Sequence, residues 1–215
     1  MTRHVPNMLT VARFFLAIAF FIVVGFHDAD TPPGWPVLDV AFVLFLVGVC
    51  TDMVDGYIAR KYHVQSAFGR IADPFVDKII VCGALVYFLS PQFLGNGGPG
   101  TVVNVTGWQP WMVVTVLARE LLVTGMRSFS ESHGVAFAAT SSGKVKMILQ
   151  STAIAWSLFF VAHWWPDGPA WTATVRDILA WATTLFTALS GLVYIRRAYQ
   201  LLRLPPEPPE RPEPA

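Results

Sequence analysis

Charged residues and cysteines are scarce in this sequence of 215 residues. Aspartate, glutamate, lysine and arginine make up only 13% of the chain, whereas 54% is hydrophobic and the mean hydropathy is +0.51. So few charges exclude an ordinary soluble domain. The two cysteines, Cys50 and Cys82, both lie in apolar segments, which argues against a disulfide framework. No cluster of histidines and cysteines suggests a zinc site.

Six apolar segments approach the length of about 20 residues that a helix needs to cross a bilayer. The sequence therefore predicts an all-α polytopic membrane protein with six transmembrane helices. The second segment is short, but it can continue as a helix through Asp55 toward Arg60. A cleaved signal peptide is an alternative for the first segment, although apolar residues continue through Val24. The predicted segments are 8–26, 36–50, 74–94, 108–129, 145–165 and 171–195.

The distribution of basic residues predicts the orientation of these segments. The connections 27–35, 90–107 and 164–170 contain no lysine or arginine, whereas the other connections and both ends of the chain are basic. By the positive-inside rule, both termini are expected in the cytoplasm. Residues 1–204 are then one membrane domain. The proline-rich residues 205–215 are expected to form a disordered cytoplasmic tail.

Four aspartates, Asp52, Asp55, Asp73 and Asp77, lie where the second predicted helix ends and the third begins. Spacings of three and four residues place each pair on one helical face. Carboxylates gathered at one membrane depth repel each other unless they are protonated or bind metal ions. Oxygen ligands favour hard cations, so the pattern predicts a site for Mg²⁺ or Mn²⁺, with room for two ions.

Small residues lie beside these aspartates and leave the helix surface open. Gly56, Ala59 and Gly69 allow a flat ligand to approach the backbone, and Arg60 can offset phosphate charge. This combination suits a nucleotide diphosphate. The alternative is that the glycines only ease helix packing.

The stretch DMVDGYIARKYHVQSAFGRIADPFVD resembles the CDP-alcohol phosphatidyltransferase family, whose pattern D-x2-D-G-x2-A-R-x8-G-x3-D-x3-D it fits in full. The resemblance implies a six-helix membrane enzyme, commonly a homodimer, in the bacterial inner membrane with its site facing the cytoplasm. Such enzymes transfer a phosphatidyl group from a CDP-linked donor to an alcohol and release CMP. By this resemblance Asp52, Asp55 and Asp73 hold two metal ions, and Asp77 is the catalytic base and touches a metal.

Two further stretches resemble family members that use glycerol 3-phosphate as acceptor. VPNMLTVAR matches a P-N-x-L-T-x-x-R start, and the later stretch from Arg119 to Lys146 matches R-E-x6-R followed by S-x-G-K-x-K. The residues implied for CDP-diacylglycerol binding are Asn7, Thr10, Arg13, Gly56, Ala59, Arg60 and Gly69. Those implied for the acceptor are Arg119, Glu120, Arg127 and Lys144, with Glu120 orienting an arginine.

Alternatives remain for the basic residues and for the acceptor. The charged residues of the fourth and fifth segments can instead have a structural role, as an interhelical ion pair accompanied by lysines that only set the orientation in the membrane. This is the favoured interpretation for Lys146. Met147 stands where these members commonly have threonine, so phosphatidylglycerol, as in a cardiolipin synthase, or another alcohol is the alternative acceptor. A metal or solute carrier is the least favoured function. No nucleic-acid partner is expected.

Overall fold

A computed structural model describes the backbone of residues 5–28, 36–62, 67–132 and 141–202, and side chains within 10–28, 36–51, 75–76, 78–97, 99–130 and 143–196. Over these ranges the chain forms six helices and one β-hairpin. Predicted residues 205–215 and the side chain of Asn7 lie outside the described part. The helices are α1 (Val5–Gly25), α2 (Val37–Tyr62), α3 (Ala67–Tyr87), α4 (Pro110–Ser132), α5 (Ser141–His163) and α6 (Ala170–Leu202).

The helices follow the predicted segments, and the largest difference is in α3. As predicted, α2 continues beyond its apolar half through Asp55 and ends at Tyr62. The third segment was predicted over 74–94, but α3 begins at Ala67 and ends at Tyr87. The helix does not continue to residue 94 because Pro91 has no backbone N–H to donate within an α-helix. Pro91 instead begins a 3₁₀ turn, Pro91–Phe93, which Ser90 precedes. Both cysteines are free thiols, as predicted.

Two helices of the described part are long and apolar enough to cross a membrane. They are α5 over Gly143–His163 and α6 over Ala170–Arg196. Shorter apolar stretches occupy Thr10–Gly25, Val37–Thr51 and Lys78–Tyr87. Large apolar side chains are exposed along the outward helix faces, as at Phe15, Leu121 and Leu189. An exposed apolar surface of this extent suits lipid better than water, and the fold is consistent with a helical membrane protein.

The packing of the helices places the aspartate-bearing ends together with the start of α5. α1 packs against α2 and α3, α6 packs against α4 and α5, and α2 packs against α5. Asp39, near the start of α2, lies 3.4 Å from the Nε2 atom of His163 at the end of α5. The two helices therefore run antiparallel. The end of α2, the start of α3, the end of α4 and the start of α5 all lie at one end of the bundle, called here the motif end.

A β-hairpin closes the opposite end of the bundle, and the sequence did not predict it. Strands β1 (Leu94–Gly98) and β2 (Thr101–Asn104) pair antiparallel, with Leu94 opposite Asn104 and a register shift between Asn96 and Gly98. Gly100 has a φ of +75°, which the turn requires and which glycine adopts without strain.

Hydrogen bonds attach this hairpin to the helices. Asn104 donates to the Phe88 carbonyl at 2.7 Å. Arg176 of α6 donates to the Val105 carbonyl at 2.7 Å, and its guanidinium lies over the Phe160 ring. Gly107 makes this approach possible, because a β-carbon there would lie 2.7 Å from the Arg176 Nε atom.

Candidate functional site

Three charged side chains meet inside the bundle between α4 and α5. Arg119 donates from Nη1 to the Oε1 atom of Glu120 at 3.0 Å, and the Lys146 ammonium donates to the same oxygen. All three residues are at least nine-tenths buried. Burying charge is unfavourable unless the charges are paired, so the carboxylate must compensate both cations. We call Arg119, Glu120 and Lys146 the buried triad.

Residues of α6 hold the arginine of the triad in one orientation. The Arg119 Nε atom donates to the Ser190 hydroxyl at 3.2 Å, and its guanidinium carbon lies 5.3 Å from the centre of the Tyr194 ring. Gly191 leaves room for the chain of the arginine, because a β-carbon at that position would lie 3.4 Å from its Cγ atom. The guanidinium is therefore supported from α4 and α6 together.

The triad lies close to the part of α3 that follows Asp77. Lys78 interacts electrostatically with Glu120, and Cys82 interacts with both Glu120 and Lys146. Arg119 and Lys146 both contact the Glu120 carboxylate, and Lys78 is within electrostatic range of it.

The other two predicted acceptor residues are separate from the triad. Arg127 of α4 lies seven residues, about 10 Å along the helix axis, from Glu120 toward the motif end. It is exposed, and so is Lys144 at the start of α5. Neither forms an ion pair with a residue whose side chain the structure describes, and both side chains lie at the motif end.

Lys146 has a structural contact of the kind that the sequence interpretation favoured. It is only 6% exposed and lies against Glu120, so it is a partner in an interhelical ion pair and not a lysine that only sets orientation. Gln150, the glutamine that follows Met147 in the Thr-x-x-Gln pattern of the resembling family members, is buried on α5. Sequence reasoning missed Thr187, a buried polar residue of α6.

The first helix brings two predicted donor-binding residues to one inward face. Thr10 and Arg13 are three residues apart on α1 and are 3% and 7% exposed. A buried arginine in an apolar helix is a candidate functional group. The role of both in CDP-diacylglycerol binding stays a prediction.

The aspartate motif is placed by its backbone alone. Asp52 and Asp55 lie in the second half of α2, Asp73 lies in the first half of α3, and Asp77 lies at the midpoint of α3. Their side chains, and those of Gly56, Ala59, Arg60 and Gly69, lie outside the described part. Among the side chains that are described, no group of three or more potential ligands could hold a metal.

Comparison with known proteins identifies the class of enzyme that this arrangement belongs to. The profile of the CDP-alcohol phosphatidyltransferase family matches residues 3–189, so the chain belongs to that family. The match covers all six helices except the end of α6. Members generally use divalent metal ions, in agreement with a carboxylate-rich motif.

Individual relatives are similar over nearly their whole length. The chain is 31% identical to the CDP-diacylglycerol–glycerol-3-phosphate 3-phosphatidyltransferase of Bacillus subtilis over 206 residues, which covers 93% of this chain and 97% of the relative. It is 28% identical to the protein of the same name from Salmonella typhimurium, covering 92% and 96%. It is 27% identical to that of Rickettsia felis, covering 90% and 94%.

Proposed function

We propose that this protein transfers the phosphatidyl group of CDP-diacylglycerol to sn-glycerol 3-phosphate and releases CMP. The names of its relatives support this reaction. The observation that carries it in the structure is the grouping of cations: exposed Arg127 and Lys144 lie at the same end of the bundle as the aspartate motif. A phosphorylated acceptor needs such cations close to the donor site.

The aspartates suit divalent cations by their chemistry. Four carboxylates offer only oxygen ligands, which Mg²⁺ and Mn²⁺ prefer. Asp52, Asp55 and Asp73 would hold two ions, with Asp77 also in reach. When bound, the ions supply positive charge against the donor diphosphate and the leaving CMP.

Asp77 is proposed as the base that accepts the proton of the attacking hydroxyl. It lies ten residues, about 15 Å along the axis, inside α3, next to Lys78. Asn7, Thr10 and Arg13 of α1 would contact the nucleotide donor, together with Gly56, Ala59, Arg60 and Gly69. The acyl chains of the donor stay in lipid while its polar head reaches the motif end.

Acceptor binding divides between the exposed and the buried cations. Arg127 and Lys144 bind the phosphate of glycerol 3-phosphate, because a group with nearly two negative charges needs more than one cation near lipid. Arg119, which lies deeper in the bundle than Arg127, completes the pocket. Glu120 orients Arg119 and does not touch the substrate, in keeping with their contact at 3.0 Å.

The proposed enzyme lies in the bacterial inner membrane with six spans, both termini and the motif end in the cytoplasm. The positive-inside pattern and the apolar outward helix faces support this topology. We expect a homodimer, as is common in the family.

The reaction can be tested with the purified protein in detergent. CDP-diacylglycerol and Mg²⁺ or Mn²⁺ are supplied with glycerol 3-phosphate, phosphatidylglycerol, glycerol or inositol in turn, and CMP release is measured. We expect rapid release only with glycerol 3-phosphate and none in excess chelator. Faster release with phosphatidylglycerol would indicate a cardiolipin synthase, and full activity in chelator would exclude the metal requirement.

A further inference from the structure

Two buried cations share one carboxylate oxygen in the triad. Arg119 donates from Nη1 to the Oε1 atom of Glu120 at 3.0 Å, and the Lys146 ammonium donates to the same atom. An arginine and a carboxylate frequently pair through two parallel hydrogen bonds, from two nitrogens to two oxygens. Here the carboxylate accepts one hydrogen bond from each cation. Lys146 thus takes part of the acceptor capacity that Glu120 would otherwise offer to Arg119.

The guanidinium of Arg119 keeps one terminal nitrogen without a partner. Its Nε atom donates to the Ser190 hydroxyl at 3.2 Å, and its Nη1 atom donates to Glu120. Among the residues that the structure describes, the Nη2 atom has no hydrogen-bond partner. Unlike the Nε2 atom of Gln150, it is not fully enclosed by protein. Its two N–H groups can therefore donate to a ligand.

The contact with Glu120 directs this guanidinium toward the proposed acceptor site. Glu120 and Arg127 are seven residues apart on α4 and share one helical face. The hydrogen bond from Nη1 draws the Arg119 guanidinium to that face. Arg127 lies about 10 Å along the axis toward the motif end. Arg119 and Arg127 can therefore serve one pocket from two depths.

Lys146 keeps Glu120 from neutralising Arg119 completely. Without the ammonium, Glu120 can turn both oxygens toward the guanidinium and pair with Nη1 and Nη2 together. The charge of the cluster also falls by one unit. Both changes weaken the hydrogen bond that Nη2 can donate to a phosphate oxygen.

We propose that Lys146 is a positioning residue, which sets the affinity for the acceptor phosphate by holding Glu120 away from the Nη2 atom of Arg119. This inference rests on the proposed function, in which Arg119 completes the pocket for glycerol 3-phosphate. Lys146 does not touch the substrate. It acts through the carboxylate that it shares with Arg119.

The test is a cycle of Lys146→Met and Glu120→Gln, with KM measured for each substrate. Lys146→Met should raise KM for glycerol 3-phosphate about tenfold or more, the effect expected for losing a hydrogen bond to a charged group. Its KM for CDP-diacylglycerol should stay within about twofold of wild type. Lys146→Gln, which keeps a donor but loses the charge, is a second neutral variant and should raise the same constant.

The double variant separates this role from a structural one. Glutamine keeps an oxygen that accepts from Nη1, but it has no negative charge to capture Nη2. Adding Glu120→Gln to Lys146→Met should therefore return KM for glycerol 3-phosphate to within about threefold of wild type. Its unfolding temperature should remain below that of wild type, since two members of the buried triad are changed. A role in folding alone would not restore the affinity.

Ser157→Ala is the control for lost stability. Ser157 is buried on the same helix as Lys146, accepts from the Trp108 Nε1 atom at 3.2 Å and donates to the Thr106 carbonyl at 3.2 Å, at the opposite end of the bundle. Its replacement should lower the unfolding temperature and leave both KM values unchanged.

Three results overturn the inference. They are an unchanged KM for glycerol 3-phosphate in Lys146→Met and Lys146→Gln, an equal rise of both KM values, and a double variant whose KM is no lower than that of Lys146→Met. A wild type that releases no CMP with glycerol 3-phosphate refutes the proposed function itself.

Discussion

Replacing Glu120 by glutamine removes the carboxylate that both Arg119 and Lys146 contact. The replacement keeps the side-chain shape but leaves two buried cations beside each other, with Lys78 also within electrostatic range. Removing one partner of a buried ion pair typically lowers the free energy of unfolding by about 3–5 kcal/mol. We therefore expect Glu120→Gln to be among the most destabilising polar substitutions in the chain.

The matched variant is Lys146→Met, which removes a cation and leaves Arg119 paired with Glu120. Its free energy of unfolding should fall by less than that of Glu120→Gln, by about 1–3 kcal/mol, because the remaining charges of Arg119 and Glu120 balance. Adding Lys146→Met to Glu120→Gln should restore part of the lost stability, since it removes one of the uncompensated cations. Wild type should then be the most stable and Glu120→Gln the least stable, with Lys146→Met and the double variant between them in either order.

Thermal unfolding in detergent, followed by tryptophan fluorescence, measures these differences. For a chain of this size, 3–5 kcal/mol corresponds to about 6–20 °C in Tm. Arg127→Met is the control, because that side chain is exposed and should change Tm by no more than about 2 °C. If Glu120→Gln unfolds at the wild-type temperature, the three side chains do not form a desolvated ion cluster.

Three further predictions concern catalysis, acceptor binding and pH. Asp77→Asn should keep CDP-diacylglycerol affinity but lower kcat about 10²-fold or more; a variant that loses affinity and keeps its rate shows that the residue is not the base. Arg127→Ala and Lys144→Ala should raise KM for glycerol 3-phosphate far more than KM for CDP-diacylglycerol, and Arg127→Lys should also be impaired if its contact is bidentate; equal shifts of both constants contradict this. Burial lowers the pKa of His27 from its usual 6.5, against a smaller opposing effect of Asp28. The unfolded chain then binds a proton at higher pH than the folded chain, so Tm should fall as pH drops through about 6.5. The Tm of His27→Gln should fall less over the same pH range. An identical fall in Tm excludes this group as the cause.

Helices were predictable from this sequence because they depend on local apolar runs. α5 matches its predicted segment within four residues at each end, whereas α6 begins one residue before its predicted start and ends seven residues after its predicted end. Both contain an apolar stretch long enough to cross lipid, where a helix satisfies the backbone polar groups. The hairpin was not predictable in the same way. β1 consists mainly of glycine, without the alternation that indicates a strand, and its stability comes from distant partners such as Phe88 and Arg176.

The candidate site was predictable in its chemistry but not in its depth. The motif spacing identified the four aspartates, and the pairing of Glu120 with an arginine was expected. The sequence could not tell which of Lys144 and Lys146 is buried, because both lie in the first turns of one helix. Lys146 is turned inward and Lys144 outward by the packing of α4 against α6 and of α5 against α6. The sequence around the two lysines carries no local signal for that packing.

The most direct test of the account is a competition for the donor. Purified protein receives CDP-diacylglycerol and Mg²⁺ with equal concentrations of glycerol 3-phosphate and phosphatidylglycerol, and the lipid product is identified by mass spectrometry. The account predicts phosphatidylglycerophosphate in molar proportion to the CMP released. Cardiolipin as the main product, or CMP without a new phospholipid, would contradict it.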